Sequence, residues 1–417
     1  MRKPLLEGHL HPDFQSVAGV LEELLQNYSG GAAVCVYHRG ECVADLWGGV
    51  RDDVGTPWTS DTMSPSFSTT KGVATTLLHI CADRGLVDYD ARVADYWPEF
   101  ARAGKSSITL RQVLAHQSGL YHIRQMIDHV DRMLDWEHMV EAIENAKPIH
   151  APGERTGYHG LTYGFLVGEV IQRVTGKKFA NLVQSEIVRP LQLDGMYVGA
   201  PKNVLDRAAT LLFPDSTRRL ARTSLSVGMQ RGAAGLSAFL RRLGVDADLG
   251  SIFDALAPHG VSEFDFSAAE TLRASIPAAN GLFTARSLAK MYALLAAGGE
   301  MDGVRLLSSQ TLEAATTIQP APGRLSVIPV DLRWRLGYHG IATTRGVPRQ
   351  AFGHFGFGGS GAWADPERQL SVALIVNSGL GSPFGDLRTV RMSGAALACA
   401  NGRDRRRYPR RSLPAPA

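Results

Sequence analysis

The chain has 417 residues, 44% of them hydrophobic and 20% charged, which suffices for a large buried core and excludes a disordered chain. Its formal charge of +4 comes from the carboxyl-terminal end, where six arginines between Arg403 and Arg411 stand against one acid, Asp404. Residues 1 to 401 are therefore close to neutral, which argues against a nucleic-acid groove, and no apolar run is long enough for membrane insertion.

The opening MRKPLLEGHLHPDF lacks the apolar stretch of a signal peptide, so a cytoplasmic protein is expected. His9 and His11 have strand spacing but no partners at a familiar metal-site spacing, and read as surface. Residues 15 to 27 carry a helical stripe of Val17, Val20, Leu21, Leu24 and Leu25. Two β-rich arms follow around a turn at His38-Arg39-Gly40, which disfavours a doubly wound parallel sheet. Cys35 and Cys42 can face each other across this hairpin, but in a chain read as cytoplasmic they are expected as small buried hydrophobes rather than a disulfide.

A second helix is predicted from Thr69 to Arg84, with Gly85 at its carboxyl end. Helical segments and loops dominate from 106 to about 275. GAWADPERQLSVALIVNSG then reads as two strands around Asp365-Pro366, and GDLRTVRMSGAALACA as a last helix. Strands at both ends and helices between them predict an α+β fold, an antiparallel sheet flanked by helices with a mostly helical insert. The expected divisions are residues 1–70 with 276–401 for the α/β domain, 71–275 for the helical domain, and 402–417 for a basic, solvated tail.

Several chemistries are absent at the level of motif. There is no GxSxG, GxxxxGK[ST], HExxH or CxxC, so no metal or organic cofactor is expected. Ser-x-x-Lys remains. With 28 serines and eight lysines, chance alone gives about half a match, and two occur. Ser287-Leu288-Ala289-Lys290 opens an apolar helix, and Ser287 reads as its N-cap. Ser68-Thr69-Thr70-Lys71 stands between a loop and a strongly apolar helix. There the helix dipole favours negative charge on the serine oxygen, and residue i+3 lies one turn away, within reach of the hydroxyl. On the motif alone, a capping serine with a solvated lysine remains the simpler reading.

The motif has company. ITLRQVLAHQSGL (108–120), PGERTGYHGLTYGFL (152–166), NGLFTARSLAK (280–290) and FGHFGFGGSGAWADP (352–366) follow it in order. From about Gly30 to Asn377 this wording resembles the serine β-lactamase and penicillin-binding-protein superfamily, and within it the family VIII carboxylesterases. The resemblance implies a β-lactamase/transpeptidase-like fold with a site in the cleft between its two parts. It implies Ser68 as nucleophile, Lys71 and Tyr158 as proton handlers, and the N–H groups of Ser68 and Phe357 as oxyanion donors. His354-Phe355-Gly356 would border the substrate, Tyr121 is a further candidate at the cleft, and Asn280 either faces the cleft or caps its own loop.

The substrate expected is a small-molecule carboxylic ester. Gly160 stands two residues after Tyr158, where lactam-cleaving relatives hold an asparagine, and His354 stands where they hold a lysine. A phenol needs a drop of about three pKa units, ~4 kcal/mol, to act as a base near neutrality. One ammonium at ~4 Å contributes about that much in a sheltered cleft, while burial of the phenolate opposes it. The residues therefore leave Tyr158, Lys71 or the pair as base. Acyl transfer, β-lactam or D-amino-acid peptide hydrolysis, and a non-catalytic scaffold stand as alternatives.

Overall fold

The computed structural model describes residues 5–213, 249–379 apart from 324 and 329, and 386–407. Apolar runs early and late in the chain, such as GAAVCVYH and LSVALIV, meet in one sheet and are buried on both faces. Its strands are β1 (Glu7–Leu10), β2 (Gly31–His38), β3 (Glu41–Gly49), β4 (His339–Gly340), β5 (Phe352–Phe355), β6 (Gly361–Asp365) and β7 (Leu370–Val376). Their order is β1-β3-β2-β7-β6-β5-β4, and every pairing is antiparallel. The two ends of the chain join at β2 and β7, where Val34 pairs with Leu374.

Alternation along β2 sends Ala33 and Cys35 to one face and Ala32, Val34 and Val36 to the other. The second face is covered by α1 (Gln15–Asn27) and α6 (Leu387–Arg407), which pack on each other. α5 (Ala285–Ala296) lies across β2, β6 and β7 on the first face. Behind it the principal core extends into the helical part through α2 (Thr70–Asp83) and α3 (Thr162–Thr175), which pack together. The expected antiparallel sheet, flanking helices and helical insert are therefore all present.

The expected tail is corrected at its start. Helix α6 continues to Arg407, and the Arg403 side chain is buried, its guanidinium bonded to Glu41 and beside Asp13 and His38. These partners lie far upstream in the chain, so local composition gave no sign of them. Residues 408–417 fall outside the described residues. Cys35 and Cys42 are free thiols 3.8 Å apart across the hairpin, Cys35 buried and Cys42 half-buried.

Gly72, in the first turns of α2, shows how tightly this helix is seated. A Cβ there would lie 2.1 Å from the hydroxyl of the fully buried Tyr292. Alanine normally stabilises a helix interior relative to glycine by ~1 kcal/mol. Gly72→Ala should instead destabilise by about 1–3 kcal/mol through overpacking, read as a lower urea midpoint at unchanged slope.

Candidate active site

Ser68 sits in a single turn of 3-10 helix, Phe67–Thr69, that runs directly into α2. The residue before it, Phe67, holds a left-handed φ of +42°, strained for a bulky side chain. One turn on, Lys71 is 0% exposed, and its Nζ lies 3.1 Å from Ser68 Oγ. The same nitrogen donates to the Gly160 carbonyl at 2.6 Å and the Ala278 carbonyl at 3.1 Å.

Tyr158 arrives from the short strand Thr156–Gly157, which pairs in parallel with Leu325–Ser326. Its own N–H donates to the Ser326 carbonyl, and its hydroxyl donates to Ser68 Oγ at 2.8 Å. Trp334 stacks on the phenol ring at 5.6 Å and 16°, and His116 packs edge-on at 5.0 Å. The geometry thus gathers Ser68, Lys71 and Tyr158 around one oxygen.

Burial sets the electrostatics. It pushes the Lys71 ammonium well below the usual lysine range, with no carboxylate hydrogen-bonded to it among the described residues, and pushes the Tyr158 phenol up, against a smaller lowering by the Ser68 hydrogen bond. A phenolate–ammonium pair is disfavoured on both sides, and a neutral amine beside a neutral phenol is favoured. Burial likewise lowers His116 and His354 well below the histidine range, His159 to about 3 and His339 to about 4. All four are neutral near pH 7.

β5 brings the far wall. The Phe355 N–H donates to His339 Nε2 at 2.9 Å, while His339 Nδ1 donates to the Gly340 carbonyl at 2.7 Å. A carbonyl only accepts, so the proton on His339 is on Nδ1 and Nε2 is free to fix the strand. His354 Nδ1 donates to the Phe355 carbonyl at 2.9 Å by the same logic. A Cβ on Gly356 would lie 2.4 Å from the Ser66 carbonyl, so only glycine lets this strand end press against the serine loop. His354, Phe355 and Gly356 line a cleft together with Tyr158, Trp334, Ile328, Leu332 and His339.

Other expected residues lie elsewhere. Asn280 is fully buried away from the cleft: its amide donates to the Thr271 and Ala274 carbonyls and accepts from the Ile276 N–H, closing that loop. Tyr121 is 2% exposed and sits beneath Gly157, whose Cβ position its ring fills; it backs the strand before Tyr158 and does not line the cleft. Ser287 is not an N-cap. Thr284 caps α5 by accepting the Ser287 N–H, and Ser287 Oγ donates to Asp194.

Trp334, His339 and the carbonyls of Gly160 and Ala278 were not picked out from the sequence. Two are backbone groups with no residue signature, and the other two lie in a stretch without helical or strand periodicity. Gly160 is also closely packed: a Cβ there would lie 2.2 Å from Leu256 of α4 (Leu249–Leu256), whose side chain would have to move.

The beta-lactamase family profile matches residues 17–396. The esterase/beta-lactamase LipL of Mycobacterium tuberculosis is 38% identical over 357 residues, covering 84% of this chain and 77% of LipL. The crystal structure of a family VIII carboxylesterase superposes with a TM-score of 0.80 at 32% identity, covering 95% of this chain and all of that one. A penicillin-binding-protein homologue from Caulobacter crescentus gives 0.78 at 32% identity, covering 95% of this chain and 100% of its own. With the antiparallel sheet, the helical insert and a match spanning most of its length, the chain belongs to the beta-lactamase family.

Proposed function

We propose that this protein is a serine carboxylesterase that hydrolyses short- to medium-chain carboxylic esters through an acyl-enzyme on Ser68. The observation that carries the reading is the buried triple in which Tyr158 and Lys71 both reach Ser68 Oγ at the start of a helix. The names of relatives, an esterase/beta-lactamase and a family VIII carboxylesterase, support the same chemistry.

Lys71 acts as the base. A neutral amine has two N–H groups, which match the Gly160 and Ala278 carbonyls, and one lone pair, which remains for the Ser68 proton. As Ser68 Oγ bonds to the ester carbon, its proton passes to Lys71, and the carbonyl oxygen takes the charge against the Ser68 and Phe357 N–H groups. Tyr158 gives its proton to the departing alkoxide and regains one from the Lys71 ammonium. Water then attacks the acyl-enzyme, losing its proton to the same pair, and Ser68 leaves with a proton restored.

Two features turn the site away from β-lactams. Gly160 has no side chain to serve as an amide anchor, and Leu256 packs against it. His354 is neutral and offers no fixed cation to a carboxylate. The four cysteines are free thiols, the state that a reducing cytoplasm keeps, and we place the enzyme there.

Short-chain p-nitrophenyl esters and a chromogenic cephalosporin, assayed side by side, test the reading. Fast ester turnover with little lactam turnover is expected. Lactam turnover exceeding ester turnover would overturn it.

A further inference from the structure

Four phenylalanines cluster beside the nucleophile, and none of them lines the Trp334 cleft. Phe264 and Phe266 rest against the edge of the principal core yet stay half-buried, and the catalytic steps use none of the four rings. Phe67 lies 5.0 Å from Phe266 and 5.4 Å, edge-on, from Phe357; Phe266 lies 4.9 Å from Phe264. Each ring is partly exposed. Phe67 immediately precedes Ser68 and keeps its strained left-handed backbone, while Phe357 follows the Gly356 that is pressed onto the serine loop. A contiguous half-buried aromatic patch beside a nucleophile, held in part by a residue with strained backbone, points to a binding role.

Stereochemistry says which part of an ester it takes. The tetrahedral carbon carries four groups. One is Ser68 Oγ, and the oxyanion is directed to the Ser68 and Phe357 N–H groups. The departing alkoxide must face the Tyr158 hydroxyl that protonates it, which puts the alcohol on the side of Trp334, Ile328 and Leu332. The acyl group takes the remaining direction. We propose that Phe67, Phe264, Phe266 and Phe357 form the acyl subsite, suited to an unbranched apolar chain, and that the Trp334 cleft takes the alcohol. This rests on the ester-hydrolase reading above and adds the division of its substrate.

Burial of one methylene favours binding by roughly fourfold. For wild type, kcat/KM should therefore rise from p-nitrophenyl acetate to butyrate to hexanoate. Phe266→Ala should lower the hexanoate-to-acetate ratio by about tenfold, and Phe264→Leu should lower it less. With the acyl group fixed as butyrate, the ratio between benzyl and methyl esters should stay the same in both variants and change in Trp334→Ala. Phe264→Leu keeps most of the packing and covers the case in which Phe266→Ala fails to fold. Equal losses on acetate and hexanoate would make the rings structural and overturn the proposal. A changed benzyl-to-methyl ratio in Phe266→Ala would reverse the two subsites. Absence of any wild-type turnover of p-nitrophenyl acetate would instead remove the ester reading itself, and the subsite with it.

Discussion

Ser68→Ala is expected to lower kcat for p-nitrophenyl butyrate by about 10⁵- to 10⁶-fold, the loss typical when an enzyme's nucleophile is deleted. The fold should survive. Ser68 is half-buried, and removal of its hydroxyl frees the Tyr158 hydroxyl and the Lys71 amine from one partner each while Lys71 keeps two carbonyls. Thermal melting by circular dichroism checks this alongside the kinetics. Ester turnover that persists in a folded Ser68→Ala would move the nucleophile elsewhere.

The second large effect separates Lys71 from Tyr158. Because burial lowers Lys71, its amine is unprotonated above a pKa well under the ordinary lysine value, and a base must be unprotonated to work. Activity should therefore rise with pH along an acid limb set by Lys71 and level off before the pH at which a free lysine titrates. Lys71→Met should abolish that limb and cost about 10³-fold or more in kcat/KM. Tyr158→Phe should cost about 10²- to 10⁴-fold, the range of a general acid–base contribution, and keep the limb. If the limb disappears in Tyr158→Phe and remains in Lys71→Met, the phenol is the base. The pH–kcat/KM profile of the three proteins decides between the two.

These assignments show what a single sequence carries. Helix α1 and strands β6 and β7 follow from apolar spacing that their own residues impose, and the turn residues between the strands fix their ends. The Ser68, Lys71 and Tyr158 positions were legible because a helix start places residues i and i+3 together and because five segments keep a familiar order. What failed depended on distant partners. Tyr121 looked like a cleft residue, but its ring backs a neighbouring strand, and Asn280, open between the cleft and a loop-capping role, closes its own loop. Arg403 looked solvated because its partners, Glu41 and Asp13, are at the other end of the chain. Trp334 and His339 lie where no period organises the sequence, and their roles appear only when β4 and β5 pair. The division at residues 70/71 and 275/276 remains our proposal, since α2 packs on the helical part and against β5 alike.

The central claim is a covalent acyl group on Ser68, and mass spectrometry of rapidly quenched enzyme tests it most directly. Protein mixed with p-nitrophenyl butyrate and acid-quenched within the first turnover should gain the mass of one butyryl group, on the peptide that contains Ser68. The same group on another residue, or a burst of p-nitrophenol with no adduct on that peptide, would contradict the account.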